Sequence, residues 1–259
     1  TYATDPDAIR KAMEQNMAYA REMSEAAMNG SLADILSAYS DDAEEEWEVL
    51  RADDGSLNED ELHLMAFGAP LYVYNGEFSD SIAADEDDID TMRSTLESWW
   101  YVTDHDSASG IFSWLLNEGH HAAHDPALAY IAEKGFDSIS ADEGEGLGDA
   151  YRIASHMISS GICDSASLPA TAIGWDLARA TECAKWAYCC GYIQEDEMWN
   201  VMGLIRDIAK RTFSSWSEYG LSYVIGRGVW HGDEDDADVA YEVYSALMGD
   251  ENSPWLRIG

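Results

Sequence analysis

The fold is decided by residues 170–192, which read ATAIGWDLARATECAKWAYCCGY. Gly191 is placed to adopt a left-handed conformation that ends a helix before Tyr192. Cys183 and Cys190 lie seven positions apart on an otherwise apolar segment, a pattern typical of small buried residues. We therefore predict one helix over 170–190.

Three more helices are expected on the C-terminal side of this stretch. The first carries apolar residues on one face at a 3.6-residue period, namely Met198, Val201, Met202, Ile205, Ile208, Ala209 and Phe213. Ser215 and Glu218 form a capping box for the next helix, which runs through Trp230. The acidic run 233–238 is expected to precede the last helix, which ends at Gly249.

Helix signals also recur on the N-terminal side of the stretch. The first predicted helix runs from Asp5-Pro6 to Asn29-Gly30, and a second follows the acidic run 85–90 and ends near Trp99-Trp100. A third is capped by Asp106 and ends at Gly119. A short fourth helix runs from Asp125-Pro126 to Gly135, and a fifth contains Ile153 and Met157. The acidic segment 41–61 is expected to form an exposed helix and loop. The glycines of 144–148 are expected to lie in a loop.

Strand signals are almost absent from the chain. Only Leu71 to Tyr74 could pair as a strand, and Pro70 beside it weakens that interpretation. The sequence has no linker rich in Pro or Ser and no repeated unit of 30 to 50 residues. We expect a single compact all-α multi-helix domain over 1–259 without a substantial sheet, more acidic and variable in the N-terminal helices of 1–100.

The charge of the chain excludes several classes of partner. Its 259 residues hold 51 acidic and 14 basic side chains, which gives a formal net charge of −37. Such a surface repels nucleic acids and anionic membranes. The spacing of Cys163, Cys183, Cys189 and Cys190 does not fit a disulfide framework, and no apolar run is long enough to span a membrane. We expect a soluble, cytoplasmic protein.

Several short motifs of the chain form a recognisable set. They are Trp114-Leu115 with Gly119-His120, Gly174-Trp175-Asp176-Leu177-Ala178-Arg179, Gly191-Tyr192, Ser214-Ser215-Trp216-Ser217-Glu218-Tyr219, Gly226-Arg227 with Trp230, and Ser253-Pro254-Trp255. Together they resemble a bacterial family of unknown function, the domain-of-unknown-function family 1266. The similarity runs over most of residues 60–257, with a family-like core over 96–257, and is strongest over 174–230. The resemblance implies a helical bacterial protein and no assigned activity or catalytic residue.

Charged and aromatic residues within these motifs are the candidate binding site. Asp176 and Arg179 lie three apart on one helix and can face each other, and Arg227 and Trp230 repeat that spacing on a later helix. A cleft lined by them could hold an anionic or planar ligand, or the pair could simply join two buried helices. The candidates are Trp175, Asp176, Arg179, Tyr219, Arg227, Trp230, Glu118 and His120.

The only histidine cluster is weak evidence for a metal site. His120 and His124 could supply two metal ligands together with Glu118 or Asp125 if the segment were helical. Gly119 and Asp125-Pro126 favour a turn instead, which would separate the two rings. We therefore predict neither a metal nor a cofactor.

Three functions remain open at this point. The preferred one is a binding or interaction module that uses the aromatic and Arg-lined C-terminal helices to hold a small molecule or a protein. A hydrolase with carboxylate chemistry in the same cleft is the first alternative, and an acidic protein that binds a basic partner is the second. An enzyme should show a pocket where Asp176 or Glu118 converges with Arg or His side chains.

Overall fold

A computed structural model describes residues 47–258, and every regular element in that range is a helix. The predicted all-α class is confirmed. The first seven α-helices are α1 (Glu59–Met65), α2 (Ala69–Asn75), α3 (Glu86–Trp100), α4 (His105–Asn117), α5 (His121–Lys134), α6 (Ala141–Gly146) and α7 (Asp149–Ser159), and a short 3₁₀ helix (Phe136–Ser138) lies between α5 and α6. The remaining ones are α8 (Ile173–Cys189), α9 (Glu195–Thr212), α10 (Trp216–His231), α11 (Glu234–Gly249) and α12 (Pro254–Arg257).

Helix α8 corresponds to the predicted helix of residues 170–190, and it lies at the centre of the described part of the chain. Every residue from Gly174 to Ala187 is buried. Gly191 follows it with φ +76°, the left-handed conformation expected of the residue that ends a helix. Helices α2, α3, α4, α9 and α10 all pack against α8, so its side chains contact neighbours in most directions.

The apolar core has two parts that meet at α8 and α10. One contains Leu177 and Cys183 of α8 and Tyr219 of α10, together with apolar residues of helices α1 to α4. The other contains Trp175 of α8 and Tyr223 of α10, together with apolar residues of α7 and α11. The four cysteines are free thiols. Within the described part of the chain, no helix is long and apolar enough to cross a membrane.

Glycine allows α8 and α10 to approach each other closely. A Cβ atom on Gly174 would lie 2.8 Å from the backbone oxygen of Tyr219, and one on Gly226 would lie 2.5 Å from the Cβ of Trp175. Gly174 also donates its backbone N–H to Ser222 Oγ at 2.9 Å. Any larger residue at the two glycines would push these helices apart, and with them the side chains of the candidate site.

The local structure differs from expectation at residues 144–148 and resolves an open point at residues 71–74. Leu71 to Tyr74, the segment that could have paired as a strand, form part of α2, because Pro70 stands in the first helical turn, where its missing N–H costs nothing. Of the glycines in 144–148, Gly144 and Gly146 belong to α6, which begins with a capping box between Ser140 and Glu143.

Acidic residues begin helices at several places where we expected loops or later starts. The run 85–90 forms the N-cap and first turns of α3, and the run 233–238 does the same for α11. Carboxylates are favourable there because the free N–H groups of a first turn carry partial positive charge. Helix α4 is capped by Asp104, two positions before the expected Asp106. The predicted helix of residues 5–30 and the acidic residues 41–46 lie outside the described residues.

Candidate functional site

Asp176 is the centre of a buried ion-pair network. Its side chain is fully buried, and its Oδ1 atom accepts a hydrogen bond from Arg179 Nη2 in the next turn of α8. Its Oδ2 atom accepts from the backbone N–H of His121 at 2.8 Å and from His121 Nδ1 at 2.7 Å. Both oxygens are therefore engaged, and the expected pairing of Asp176 with Arg179 is confirmed.

His120 joins the same network through Arg179. The Arg179 Nη2 atom also donates to His120 Nδ1 at 2.7 Å. A guanidinium group can only donate, so the Nδ1 atom of His120 accepts and the ring proton resides on Nε2. The His120 ring packs edge-on against Trp114, with ring centroids 5.0 Å apart. The motifs around 114–120 and 174–179 therefore meet in space.

The network sets the protonation states of its members. Burial alone would raise the pKa of Asp176, but the charge of Arg179 and the hydrogen bonds from His121 hold that pKa well below its usual range. Burial and then the Arg179 charge lower the pKa of His120 to about 4. Burial also opposes the charged form of His121, yet its hydrogen bond to Asp176 raises its pKa above the usual value. At neutral pH, Asp176 is ionised and His120 is neutral.

The network also joins α5 and α8 by reciprocal capping. Asp176 of α8 binds the first backbone N–H of α5, which belongs to His121. In return, Asp125 of α5 accepts from the backbone N–H of Ala172 at 2.8 Å and from Thr171 Oγ1 at 2.7 Å, just before α8 begins. Each aspartate satisfies donors at the start of the other helix, where partial positive charge favours a carboxylate.

This arrangement overturns our expectation for residues 120–125. The segment belongs to the start of α5 and its N-cap and is not a turn, and Pro126 lies inside the helix. Although the segment is helical, the Nδ1 atom of His120 is bonded to Arg179 and does not face a metal ligand. Glu118 is exposed at the end of α4. Within 47–258, the residues His120, His124, Glu118 and Asp125 do not supply a group of three clustered ligand atoms.

Trp175 organises a second group of side chains next to the network, which we call the Trp175 cluster and define as Trp175, Arg179, Tyr223 and Trp230. The Trp175 ring lies 5.3 Å from the Trp230 ring and 5.5 Å from the Tyr223 ring, centroid to centroid. The guanidinium carbon of Arg179 is 4.7 Å from the Trp175 centroid and 5.7 Å from that of Trp230. Stacking of this kind stabilises a buried arginine.

Four polar atoms of the Trp175 cluster are buried without a hydrogen-bond partner. They are Trp175 Nε1, Arg179 Nε, Tyr223 Oη and Trp230 Nε1. Native proteins leave few such groups, so four around a single ring are unusual. Three of the four can only donate. Burial, opposed by the charge of Arg227, raises the pKa of Tyr223 to about 12, which keeps its hydroxyl proton in place.

Arg227 lies at the border of the Trp175 cluster. Its guanidinium carbon lies 4.1 Å from the ring centroid of Tyr74 and 5.8 Å from that of Trp175. Its Nε atom donates to Asp236 Oδ1 at 3.1 Å, across the corner between α10 and α11. Arg227 and Arg179 thus contact the same indole, and a different aspartate balances each charge.

The family of the chain is identified by a match to a family model. A family model described as a protein of unknown function, DUF1266, matches residues 95–259. The chain belongs to the DUF1266 family. No curated protein and no solved structure matches it. The DUF1266 region contains the whole ion-pair network and the whole Trp175 cluster, whereas Tyr74, which covers Arg227, precedes it.

Not every candidate in the DUF1266 region lies in the cluster. Tyr219 points into the other part of the core, where its hydroxyl donates to the Phe67 carbonyl at 2.5 Å. Sequence reasoning missed Tyr223 and His121. Tyr223 lies four positions before Arg227, and that spacing on one helix face could have identified it. Nothing in the local sequence distinguishes His121 from its neighbour His120.

Helix α8 of the DUF1266 region carries a further set of buried charges beyond Arg179. Lys185 Nζ donates to Glu77 Oε2 at 2.7 Å, and Trp186 Nε1 donates to Glu77 Oε1 at 2.8 Å. Asn75 Nδ2 donates to Glu182 Oε1 at 2.6 Å. Burial, then the nearby Glu77 charge, raises the pKa of Glu182 well above its usual value. These contacts attach the end of α2 to α8.

Proposed function

We propose that this protein binds a small molecule and that the Trp175 cluster receives an anionic, acceptor-rich group of that ligand. The observation that carries the proposal is the set of four buried polar atoms without partners around Trp175. Each such atom costs about 1–3 kcal/mol relative to a satisfied one. A ligand that accepts hydrogen bonds at these positions would recover much of that free energy.

The charges around the cluster support an anionic ligand. Arg179 and Arg227 both contact the Trp175 ring, in a chain whose net charge is −37. Asp176 balances Arg179 through the Nη2 atom, which leaves the Nε–H of Arg179 available to an acceptor. Arginine suits this role because its planar group both stacks on rings and donates to carboxylates.

Access to the cluster is expected from the side of Trp100 and Trp230. Both rings are half-buried and flank Arg179, whose guanidinium carbon lies 5.4 Å from the Trp100 centroid. Tyr74, which covers Arg227, is 39% exposed. Aromatic rings at the edge of a site offer flat surfaces on which a planar part of a ligand could stack.

The hydrolase alternative is less well supported. Asp176 does converge with Arg179 and two histidines, as an enzyme would require. However, its two oxygens are occupied by Arg179 and His121, so it can orient these groups but cannot itself attack a substrate. Glu118 lies outside the network. Binding to a basic partner stays a prediction from charge alone.

We also propose that the chain forms one domain. Helices α1 to α3, which largely precede the matched family region, contribute Leu64, Met65, Tyr72 and Leu96 to the core shared with α8 and α10. Helices α2 and α3 both pack directly on α8. A separate N-terminal domain would be expected to have its own core.

The binding proposal can be tested with indole ¹⁵N-labelled protein, in which each Trp side chain gives one N–H signal. We would titrate benzoate, inorganic phosphate and mononucleotides to about 10 mM, with benzamide as the uncharged analogue of benzoate. Trp175→Phe and Trp230→Phe assign the two signals. The matched control is Trp199→Phe, whose Nε1 donates to Glu195 at 3.2 Å outside the cluster.

We expect at least one anion to shift the signals of Trp175 and Trp230, and Tyr223→Phe to weaken its binding by about tenfold, the equivalent of one well-placed hydrogen bond. Trp199→Phe should leave the affinity unchanged. The proposal is wrong if no anion moves the two signals, or if benzamide moves them as strongly as benzoate.

A further inference from the structure

The corner between α10 and α11 brings together one histidine and two aspartates. Among residues 47–258, His231, Asp233 and Asp236 form the one group of three metal-type ligands whose donor atoms all lie within 4.8 Å of one another. We propose that this corner binds a divalent transition-metal ion. The proposal is independent of the ligand proposed for the Trp175 cluster, since it rests on different atoms.

The chain reversal at Gly232 creates this arrangement. Gly232 has φ +67°, the left-handed conformation that ends α10, and it is followed at once by Asp233, the N-cap of α11. Asp236 lies in the first turn of α11 and faces back to the last residue of α10, where its Oδ2 atom contacts His231 Nδ1. Ligands from two helix ends therefore converge over only six residues.

Both carboxylates are oriented by donors that lie outside the group of three. Arg227 Nε donates to Oδ1 of Asp236 at 3.1 Å and leaves Oδ2 directed at His231. The backbone N–H of Asp235 donates to Oδ1 of Asp233 at 3.1 Å and orients that carboxylate. Metal-ligating carboxylates commonly have this outer contact, which holds them in position before the ion arrives.

The local charge favours a cation. Glu234 and Asp235 lie beside the ligands, and the nearby Arg152 is shared between Glu234 and Asp149 at 3.0 Å each. Arg227 is bonded to one of the ligands, Asp236, and its charge also contacts the Tyr74 ring. Its proximity limits the affinity, so we expect binding at micromolar rather than nanomolar metal concentrations.

The donor set indicates the class of metal. One imidazole nitrogen with carboxylate oxygens suits ions such as Zn²⁺, Co²⁺ and Mn²⁺, whereas Ca²⁺ and Mg²⁺ prefer oxygen ligands alone. On binding, His231 would release the proton of Nδ1 and coordinate through that atom, and the ion would take the place of its hydrogen bond to Asp236. Water would complete the coordination.

The test uses the full chain after treatment with a chelator and titration with Zn²⁺ by calorimetry. Excess Mg²⁺ and 150 mM salt, about the physiological ionic strength, suppress unspecific binding to the acidic surface. His231→Phe removes the ligand nitrogen and keeps a ring that can stack on Trp230, now 5.3 Å away. The matched control is His156→Phe, because His156 also contacts carboxylates, Asp238 and Glu234, but lies outside the group of three.

We expect one equivalent of Zn²⁺ to bind, with affinity reduced at least about tenfold in His231→Phe and Asp233→Asn and unchanged in His156→Phe. Circular dichroism confirms that each variant is folded. Asp233→Asn leaves the Arg227–Asp236 ion pair intact, so a lower affinity for Zn²⁺ in this variant cannot be caused by the loss of that ion pair. No uptake at 100 µM Zn²⁺, about a hundred times the micromolar range expected, would overturn the proposal. Equal affinity in His231→Phe, or an equal loss in His156→Phe, would also overturn it.

Discussion

The Oδ2 atom of Asp176 accepts hydrogen bonds from both the backbone N–H and the ring Nδ1 of His121, a residue 55 positions earlier in the chain. One oxygen therefore caps helix α5 and orients an imidazole, while the other oxygen binds Arg179. Because the carboxylate is fully buried, these partners replace all of its hydration. The stability of the protein should depend strongly on this one side chain.

Replacement of Asp176 by Asn should reduce the free energy of unfolding by about 3–5 kcal/mol, because it leaves the buried Arg179 without a charge partner. Urea unfolding at pH 7 measures the change. The control is Asp207→Asn, which removes an exposed pair with Arg206 at 2.8 Å and should cost less than about 1 kcal/mol. Similar losses in both variants would contradict the structural importance of the network. A variant of Asp176 that fails to fold would agree with it.

Gly119 should tolerate substitution worse than a glycine with the same backbone conformation elsewhere. Its φ is +54°, and a Cβ atom there would overlap the Oδ2 atom of Asp176. That oxygen cannot move aside, since two hydrogen bonds from His121 hold it. Gly119→Ala should therefore lower the unfolding free energy by more than about 2 kcal/mol.

Gly191→Ala is the matched comparison for that variant. Gly191 has φ +76°, and no atom lies within 4 Å of the position that a Cβ atom would occupy. Alanine there should cost only about 1 kcal/mol, the conformational penalty alone. The two costs can be compared in parallel urea titrations. Equal losses of unfolding free energy in the two variants would mean that the contact between a side chain at position 119 and Asp176 does not affect stability.

Much of the C-terminal half of the fold could be predicted from sequence because its signals are local. The 3.6-residue period of α9, the cap at Ser215 and the left-handed Gly191 each depend on residues within a few positions of one another. Short-range rules suffice where a helix supplies its own cap. The ion pair of Asp176 and Arg179, three apart on one helix, was predictable for the same reason.

The start of α5 could not be predicted because its cap comes from another helix. Asp125-Pro126 has the sequence of a helix start, yet Asp125 lies one turn inside α5 and caps α8 instead. The donor that begins α5 is capped by Asp176, far along the chain. The contact of His121 with Asp176 likewise depends on how α5 and α8 pack, which no local pattern encodes.

Tyr223→Phe should leave the ligand-free protein as stable as the parent or raise its unfolding free energy by up to about 1 kcal/mol, because it removes a buried hydroxyl that has no partner. Tyr219→Phe, on the same helix, should instead cost about 1–2 kcal/mol, since it leaves the buried Phe67 carbonyl without its donor. Thermal and urea unfolding of the two variants provide the comparison. A large loss in Tyr223→Phe would mean that its hydroxyl has a structural partner.

The neutral His120 should make the protein less stable as the pH falls from 7 to 5. Its pKa in the folded state is about 4, against about 6.5 in the unfolded chain, so between these values the unfolded state binds a proton that the folded state does not. This difference favours unfolding by about 2 kcal/mol at pH 5 and vanishes above pH 7. The charged groups that act on His120 are Arg179 and Asp176, with His124 adding to the depression.

His120→Gln keeps an acceptor for Arg179 and removes the titration, so the unfolding free energy of this variant should fall less between pH 7 and pH 5 than that of the parent. The comparison cancels most of the contribution of the many carboxylates, which titrate in both proteins. His105→Gln is a control in which the effect has the opposite sign. The hydrogen bond to Glu197 raises the pKa of His105. The stabilising contribution of His105 is therefore present at low pH and is lost as the pH rises through the raised pKa. An unchanged pH slope in His120→Gln would show that folding does not lower the pKa of His120.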